Sequence, residues 1–192
     1  MNNALHRQNR KNRKTEGRKP GRTRFALIAV LATFATMFTS LVAFASGASA
    51  MTTTEQVMAN AMFKLLNQER AANHEPALVL SSKLVLSARR HDYAMARANV
   101  MSHQLPGEAN FGTRITLAGY HWQAIAENIG WNSLISTSGV LALQKYMYTE
   151  APPNDDHRIN ILNRTYHNVG IDVMIDSVHH RVWFTQDFGL LW

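Results

Sequence analysis

The sequence predicts an α+β fold in which helices surround a small antiparallel sheet. Apolar residues recur at helical spacing after a capping box formed by Thr52 and Glu55. Near the C-terminus, apolar residues alternate along 169–175 and 182–188, on either side of a turn at 176–180, which is typical of a β-hairpin. Because helices and a sheet must each bury an apolar face, these elements predict an α+β or three-layer arrangement.

Three helices are predicted along the chain. The first follows the capping box, carries an apolar stripe over 57–66 and is broken by Pro76. The second begins near 81–82, and the third covers about 139–149, where an Ala-Pro-Pro sequence ends it. The stretch 101–138 is rich in Gly, Asn and Ser, and we interpret it as loops around one short helix.

The first 50 residues predict export. Nine Lys or Arg and one acid lie in residues 1–24, residues 25–44 carry no charge, and Ala-Ser-Ala at 48–50 offers a signal-peptidase site. Cleavage after Ala50 is the simpler interpretation. The alternative is a membrane anchor formed by residues 25–44, with the basic tail in the cytoplasm. In both cases residues 51–192 form one domain, secreted or otherwise extracytoplasmic.

The composition excludes several classes of function. The net charge is +7, but residues 51–192 hold 11 Lys or Arg and 12 Asp or Glu, so the basic character belongs to the tail and no nucleic-acid partner is expected. The absence of cysteine excludes disulfides, thiolate metal sites and cysteine nucleophiles. Any transition-metal site must therefore use imidazole and carboxylate ligands.

Three segments place ionisable residues within stretches that contain Gly, Asn or apolar residues. They contain His103 with Glu108, Glu127 in Ala-Glu-Asn-Ile-Gly, and His157 before Ile-Asn-Ile-Leu. Burying such groups without partners is costly, so the two His and two Glu can converge on one another or on a cation. The alternative is four independent surface or capping residues, which composition alone favours.

A series of short motifs follows one order along residues 57–189. The motifs are Leu-Asn-Gln-Glu-Arg at 66–70, Ser-His at 102–103, Gly-Tyr at 119–120, Glu-Asn-Ile at 127–129, His-Arg-Ile-Asn-Ile-Leu at 157–162, Val-Gly-Ile at 169–171 and Thr-Gln-Asp-Phe-Gly at 185–189. The series resembles the bacterial, cysteine-free branch of the CAP superfamily (cysteine-rich secretory proteins, antigen 5 and pathogenesis-related proteins; SCP-like domains). The resemblance implies a three-layer α-β-α sandwich for residues 51–192.

The resemblance also implies a central cleft of two His and two acids. His103 matches the first His, Glu127 the acid of Glu-Asn-Ile, and His157 the second His, while Glu108 is placed fourth by its spacing from His103. Relatives bind zinc or another divalent ion through the His pair, which implies His103 and His157 as metal ligands and zinc as cofactor. Asp156 stands where the family commonly has Gly, and its carboxylate either steadies the imidazole or faces solvent.

Three hypotheses for the function remain open. The first is a non-catalytic module whose cleft binds a divalent metal and a ligand in the cell envelope or outside the cell. The second is a metal-assisted hydrolase, acting on peptides or peptidoglycan, with Glu127 as the catalytic general base. The third is a structural envelope protein whose polar cleft only stabilises the fold. Membrane contact is expected only through residues 25–44, if they are retained.

Several other polar residues are interpreted as structural. His91 lies on the apolar face of the second helix and is expected to be a hydrogen-bonded core histidine. Asn67 and Arg70 are expected to tie a neighbouring loop to the first helix. His179 and His180 lie in the hairpin turn and are expected to be solvated.

Overall fold

The computed structural model describes residues 49–192, so the export signal or anchor predicted at the N-terminus lies almost wholly outside the described residues. In chain order the elements are α1 (Thr53–Ala72), β1 (Val79–Leu80), α2 (Ser82–Ala98), α3 (Phe111–Leu117), β2 (Trp122–Asn132), α4 (Thr137–Tyr148), α5 (Asp156–Leu162), β3 (Asn168–Asp176) and β4 (Arg181–Leu191). Within this part of the chain, no helix combines the length and apolar character needed to cross a membrane.

The predicted helix starts are confirmed. Thr52 donates its backbone N–H to Glu55 Oε2 at 2.8 Å and accepts from the Glu55 N–H at 3.2 Å, which completes the capping box of α1. Ser81 caps α2, which ends at Asn99 in the left-handed region with φ 52°. Local capping chemistry therefore sets where both long helices begin.

The four strands form one sheet in the order β1-β3-β4-β2. The predicted hairpin is confirmed, with β3 and β4 antiparallel from Asn168 opposite Gly189 to Asp176 opposite Arg181. β2 also pairs antiparallel with β4, while the two-residue β1 adds a parallel edge. The interpretation of 101–138 as loops around a short helix is wrong for 122–132, which form the 11-residue strand β2. Polar residues on its covered faces hide the strand pattern.

Helices cover both faces of the sheet. On one face, α1 and α4 pack with β3 and β4 around the main core, whose fully buried members include Met62, Leu66, Val140, Val169, Val173, Phe184 and Phe188. On the other face α2 approaches so closely that a Cβ at Gly170 would lie 2.1 Å from the carbonyl carbon of Leu84. Only glycine fits there. The fold is the predicted three-layer α-β-α sandwich.

Two polar residues of α1, the buried Arg70 and the half-buried Asn67, fix the loop that follows the helix, as the sequence predicts. Arg70 donates to the carbonyl oxygens of Pro76 and Ile161, both at 2.7 Å. The side-chain amide of Asn67 pairs with both backbone groups of Leu78, at 2.8 and 3.1 Å. These bonds satisfy buried carbonyls that regular structure leaves unpaired.

Arg89 of α2 joins the start of the domain to the sheet. Its guanidinium contacts Glu55 at 3.1 Å and Asp172 of β3 at 3.2 Å, and all three side chains are buried. It also donates to the carbonyl oxygens of Ser49, at 2.8 Å, and Ala50, at 3.4 Å. The guanidinium therefore compensates two buried carboxylates at once.

Candidate functional site

The α2 face of the sheet carries a network of charged side chains centred on Glu127. This residue lies on β2 and is 8% exposed. One of its oxygens accepts from Arg114 of α3, and the other accepts from His103 Nδ1 at 2.8 Å. Burial alone would raise the pKa of Glu127, but the hydrogen bond from His103 and the charges of His91 and Arg114 outweigh it and hold the pKa below its usual value. Glu127 is therefore a buried carboxylate that stays ionised.

Glu108 belongs to the same network through two neighbours. It accepts from His91 Nδ1 at 2.9 Å and from Arg114 Nη1 at 3.4 Å. Arg114 also donates to the His103 carbonyl oxygen at 2.9 Å, so one guanidinium holds the backbone of the histidine and the acid behind it. The structure thus brings together three of the four predicted cleft residues, His103, Glu108 and Glu127.

His91 is a hydrogen-bonded core histidine, as predicted, and it also links the two acids of the network. Its side chain is fully buried, with Nδ1 bonded to Glu108 and Nε2 lying 3.9 Å from Glu127 Oε1. Its position on the apolar face of α2 did not predict the proximity of its ring to Glu127.

The fourth predicted residue, His157, has a different carboxylate partner. His157 Nδ1 lies 2.7 Å from Glu150 Oε1, and its backbone N–H donates to Glu150 Oε2 at 3.2 Å. Asp156, the candidate outer partner, is exposed instead. Among the described residues, no hydrogen bond or ion pair joins the His157 side chain to the Glu127 network. The Asn128 amide does donate to the His157 carbonyl oxygen at 3.2 Å, which holds the start of α5 against β2.

His103 and His157 share one arrangement. Each ring places Nδ1 on a largely buried carboxylate, and the two side chains are 58% and 33% exposed. Since carboxylate oxygens accept the Nδ1 proton, the neutral form of each ring is the tautomer with its lone pair on Nε2. This tautomer is the one that metal-ligating histidines adopt, so both rings fit a divalent ion in donor chemistry. Within residues 49–192 no group of three or more His, Asp or Glu is arranged to hold a metal ion.

A second buried carboxyl lies directly opposite Glu127. Asp187 of β4 is its cross-strand neighbour and is fully buried, and neither carboxyl oxygen makes a hydrogen bond in the part of the chain described. Burial first, and then the negative charge of Glu127, raise the pKa of Asp187 well above its usual value. The pair therefore keeps its negative charge on Glu127, the member that Arg114 contacts.

The sequence did not predict four residues of the site, namely His91, Arg114, Glu150 and Asp187. Asp187 left a detectable signal, because it is an acid within the alternating stretch 182–188 that predicts a strand. Glu150 left none, since its contact with His157 depends on how the Pro-containing segment after α4 turns.

The fold and the site together define a class of protein, namely a three-layer α-β-α sandwich with a loop histidine held by a buried strand glutamate. The sequence profile of the cysteine-rich secretory protein (CAP) family matches residues 63–188. The chain belongs to this family, as the motif series predicts.

Three solved structures of bacterial proteins share the fold. An extracellular protein containing an SCP domain from Bacillus anthracis is 25% identical, with a TM-score of 0.60 over 73% of this chain and 44% of that chain. An outer surface protein from Borrelia burgdorferi is 14% identical, with a TM-score of 0.61 over 71% of this chain and 95% of that chain.

A cysteine-rich secretory protein from Staphylococcus aureus is 19% identical, with a TM-score of 0.55 over 73% of this chain and 40% of that chain. The chain thus spans less than half of the Bacillus and Staphylococcus proteins. The comparison with curated proteins gives no match.

Proposed function

We propose that this chain is an exported CAP domain that binds a divalent metal, zinc, through His103 and His157, and an extracellular or cell-envelope ligand at the same cleft. The observation that carries the proposal is the shared arrangement of the two rings. Each has Nδ1 on a carboxylate, an Nε2 that makes no hydrogen bond within the described residues, and a side chain that is at least partly exposed. Export is supported by the predicted signal and by relatives that are extracellular or surface proteins.

Arg114 has a defined part in this proposal. Together with His91 and His103 it keeps Glu127 ionised, and the ionised Glu127 accepts the Nδ1 proton of His103, so Nε2 of the neutral ring is the atom presented to a ligand. Its bond to the His103 carbonyl oxygen fixes the backbone of the same residue. Zinc bound here would supply a Lewis-acidic centre, and the remaining ligands would come from water or from the bound molecule.

The geometry favours binding over the hydrolase hypothesis. A general base needs a free lone pair near the reacting water and a pKa near the working pH. Glu127 has one oxygen on Arg114 and the other on His103, and its pKa is lowered rather than raised. We therefore assign Glu127 a positioning role.

The test is zinc content. Wild-type protein, His103→Ala and His157→Ala would be dialysed against zinc and measured by elemental analysis, with circular dichroism as a check on folding. His179→Ala is the matched control, because His179 also places Nδ1 on a carboxylate, Asp176 at 2.7 Å, but lies in the hairpin turn. We expect the first two variants to lose bound zinc and the control to keep it. Equal zinc in all four proteins would remove the metal from the proposal.

A parallel assay separates binding from catalysis. Wild-type protein and Glu127→Gln would be incubated with casein and with purified cell walls. We expect no release of soluble fragments above background by either protein. Release by wild type that is lost in Glu127→Gln would overturn the non-catalytic assignment.

A further inference from the structure

The two edges of the sheet differ in how their outward-facing backbone groups are satisfied. At the β3 edge, the Val173 carbonyl oxygen accepts from Arg89 at 3.3 Å, and the Ile175 N–H donates to Glu55 at 2.8 Å. The short strand β1 pairs with the rest of that edge. At the opposite edge, no strand of the described residues pairs with the outer side of β2. Buried backbone groups nearly always have hydrogen-bond partners, so this edge needs an explanation.

The alternation of the sheet identifies which residues of β2 face outward. Because the Ile175 N–H points away from β4, the odd-numbered residues of β3 face away from β4 and the even-numbered ones bond to it. β4 therefore turns its even-numbered residues toward β2, where Gln186 lies opposite Asn128. The backbone groups that face outward from β2 are those of the odd-numbered residues, namely Ile125, Glu127, Ile129 and Trp131.

Most of these outward-facing groups have no partner. The Ile125 carbonyl oxygen accepts from the Tyr166 hydroxyl at 3.4 Å. Within residues 49–192, the backbone N–H and C=O groups of Glu127, Ile129 and Trp131 make no hydrogen bond on this side. Glu127 is 8% exposed as a whole residue but 3% exposed in its side chain, so its main chain is what remains accessible. The edge can therefore be reached from outside.

The free edge runs between the segments that carry the two candidate metal ligands. Glu127 accepts from His103 on the α2 face, and the next residue, Asn128, donates to the His157 carbonyl oxygen on the opposite face. Residues 127–130 are all buried, so the edge lies in a recess between the loop of His103 and α5. A single strand, which lies about 4.8 Å from its neighbour, fits a recess of this kind. The edge of a second copy would bring its own flanking layers and is too thick.

We propose that the ligand of the cleft is an extended peptide that adds to β2 as a further strand. Main-chain hydrogen bonds to Glu127, Ile129 and Trp131 hold the peptide, which is how peptides extend exposed sheet edges generally. Only a polypeptide offers alternating N–H and C=O groups at the spacing of a strand, so the unpartnered backbone groups favour a peptide over a sugar or a lipid. The inference rests on the proposed function in one respect, since a peptide carboxylate beside His103 would supply a further ligand to zinc.

The test uses the full chain and the strand-forming peptide Thr-Val-Thr-Asp-Thr-Val-Thr, whose length matches 125–131. The peptide carries fluorescein at one end, and binding is followed by fluorescence anisotropy. Two further versions carry N-methyl groups on alternate amides, one version on each of the two sets. In an extended strand these two sets of N–H groups point to opposite sides, so only one set can meet β2.

We expect the unmethylated peptide to bind, one methylated version to bind at least about tenfold more weakly, and the other version to keep its affinity. Absence of binding by the unmethylated peptide would overturn the inference. Equal affinities of the two methylated versions would do the same, because they would show that the peptide does not bind as a strand. So would a dimer of the protein that no peptide dissociates, since a second copy would then occupy the edge.

A variant of the edge locates the peptide. Trp131→Pro removes one outward-facing N–H at an exposed residue, and proline is tolerated in an edge strand where its nitrogen faces away from the sheet. Trp131→Ala is the matched control, because it also removes the indole ring but keeps the N–H. We expect Trp131→Pro to bind the peptide at least about threefold more weakly than Trp131→Ala. Equal affinities in two folded variants, as judged by circular dichroism, would place the peptide elsewhere and overturn the inference. The methylated peptides test the same pairing in the wild-type protein, where proline cannot disturb the fold.

Zinc separates this inference from the metal proposal. With zinc present, replacing the Asp of the peptide by Asn should weaken binding at least about tenfold, whereas without zinc the two peptides should bind alike. Strand-like binding with equal affinities for both peptides in zinc would support the edge and contradict the metal contact. Loss of zinc in His103→Ala together with no peptide binding in any condition would support the metal and overturn the edge.

Discussion

The two faces of the sheet differ in chemistry although helices cover both. The face under α1 is mainly aliphatic and aromatic, with Val169, Val173 and Phe184 fully buried. The face under α2 carries Asp172 and Asp187, equally buried on the same two strands. Alternation along β3 and β4 therefore separates packing residues from charged residues, and it does not separate buried from exposed ones.

The difference extends to how each face satisfies its polar groups. On the α1 side, Glu69 accepts from Gln144 at 2.6 Å, and Gln144 in turn accepts from Gln186. These hydrogen bonds cross the apolar layer with only one acidic residue among them. On the α2 side, guanidinium groups compensate carboxylates directly, as Arg114 does for Glu127. One face is stabilised by close packing, and the other face holds the charged network that His103 joins.

The sharpest test of this contrast uses adjacent residues of β4. Phe184→Ala should cost about 3–5 kcal/mol in the free energy of unfolding, because it leaves a cavity in the main core. Thr185→Val faces α2, keeps its volume and loses only the bond to Asp92, so about 1–3 kcal/mol is expected. Urea unfolding of both variants measures the difference. Equal losses in the free energy of unfolding would mean that packing on one face and hydrogen bonding on the other contribute equally to stability.

A second prediction concerns the buried ion pair. Arg114→Met should destabilise the protein by about 3 kcal/mol, since it leaves Glu127 buried without a cation. Adding Glu127→Gln should recover part of that loss, because the buried charge of Glu127 is then removed. A double variant less stable than Arg114→Met alone would show that the pair is not what stabilises this region. Urea unfolding at neutral pH is the measurement.

The smallest expected effect on the free energy of unfolding concerns Glu69, on the face under α1, and it depends on pH. Burial raises the pKa of Glu69 to about 7, although the bond from Gln144 opposes the shift. The folded state then holds a proton that the unfolded chain releases at lower pH, so this group's stabilising contribution is present in acid and is lost as the pH rises toward 7. Glu69→Gln keeps an acceptor for Gln144 and should flatten the decline in stability between about pH 4.5 and 7. An unchanged slope would exclude Glu69 as its source.

Local sequence patterns predicted most of the fold. The capping box, the apolar stripe of α1 and the alternation of the hairpin each depend on neighbouring residues, and all three are confirmed. β2 escaped prediction because Glu127 and Asn128 occupy covered positions where strands usually hold apolar residues. Because each face of β2 covers a polar residue, its sequence lacks the apolar alternation that is typical of a strand.

The site was predictable only in part, for a related reason. Motifs placed His103, Glu127 and Glu108 together, and the structure joins them in one network. The partner of His157 is Glu150, across the turn between α4 and α5, where no periodicity relates the two positions. This pairing depends on the course of the chain between the two helices, which no local sequence pattern predicts.

The bonds from Arg89 to the carbonyl oxygens of Ser49 and Ala50 have a consequence for maturation. A peptidase must draw its substrate as an extended strand into its own active site, and a scissile segment held by a buried guanidinium does not extend. Cleavage after Ala50, which the sequence predicts, would therefore have to come before the helix that carries Arg89 docks on the sheet.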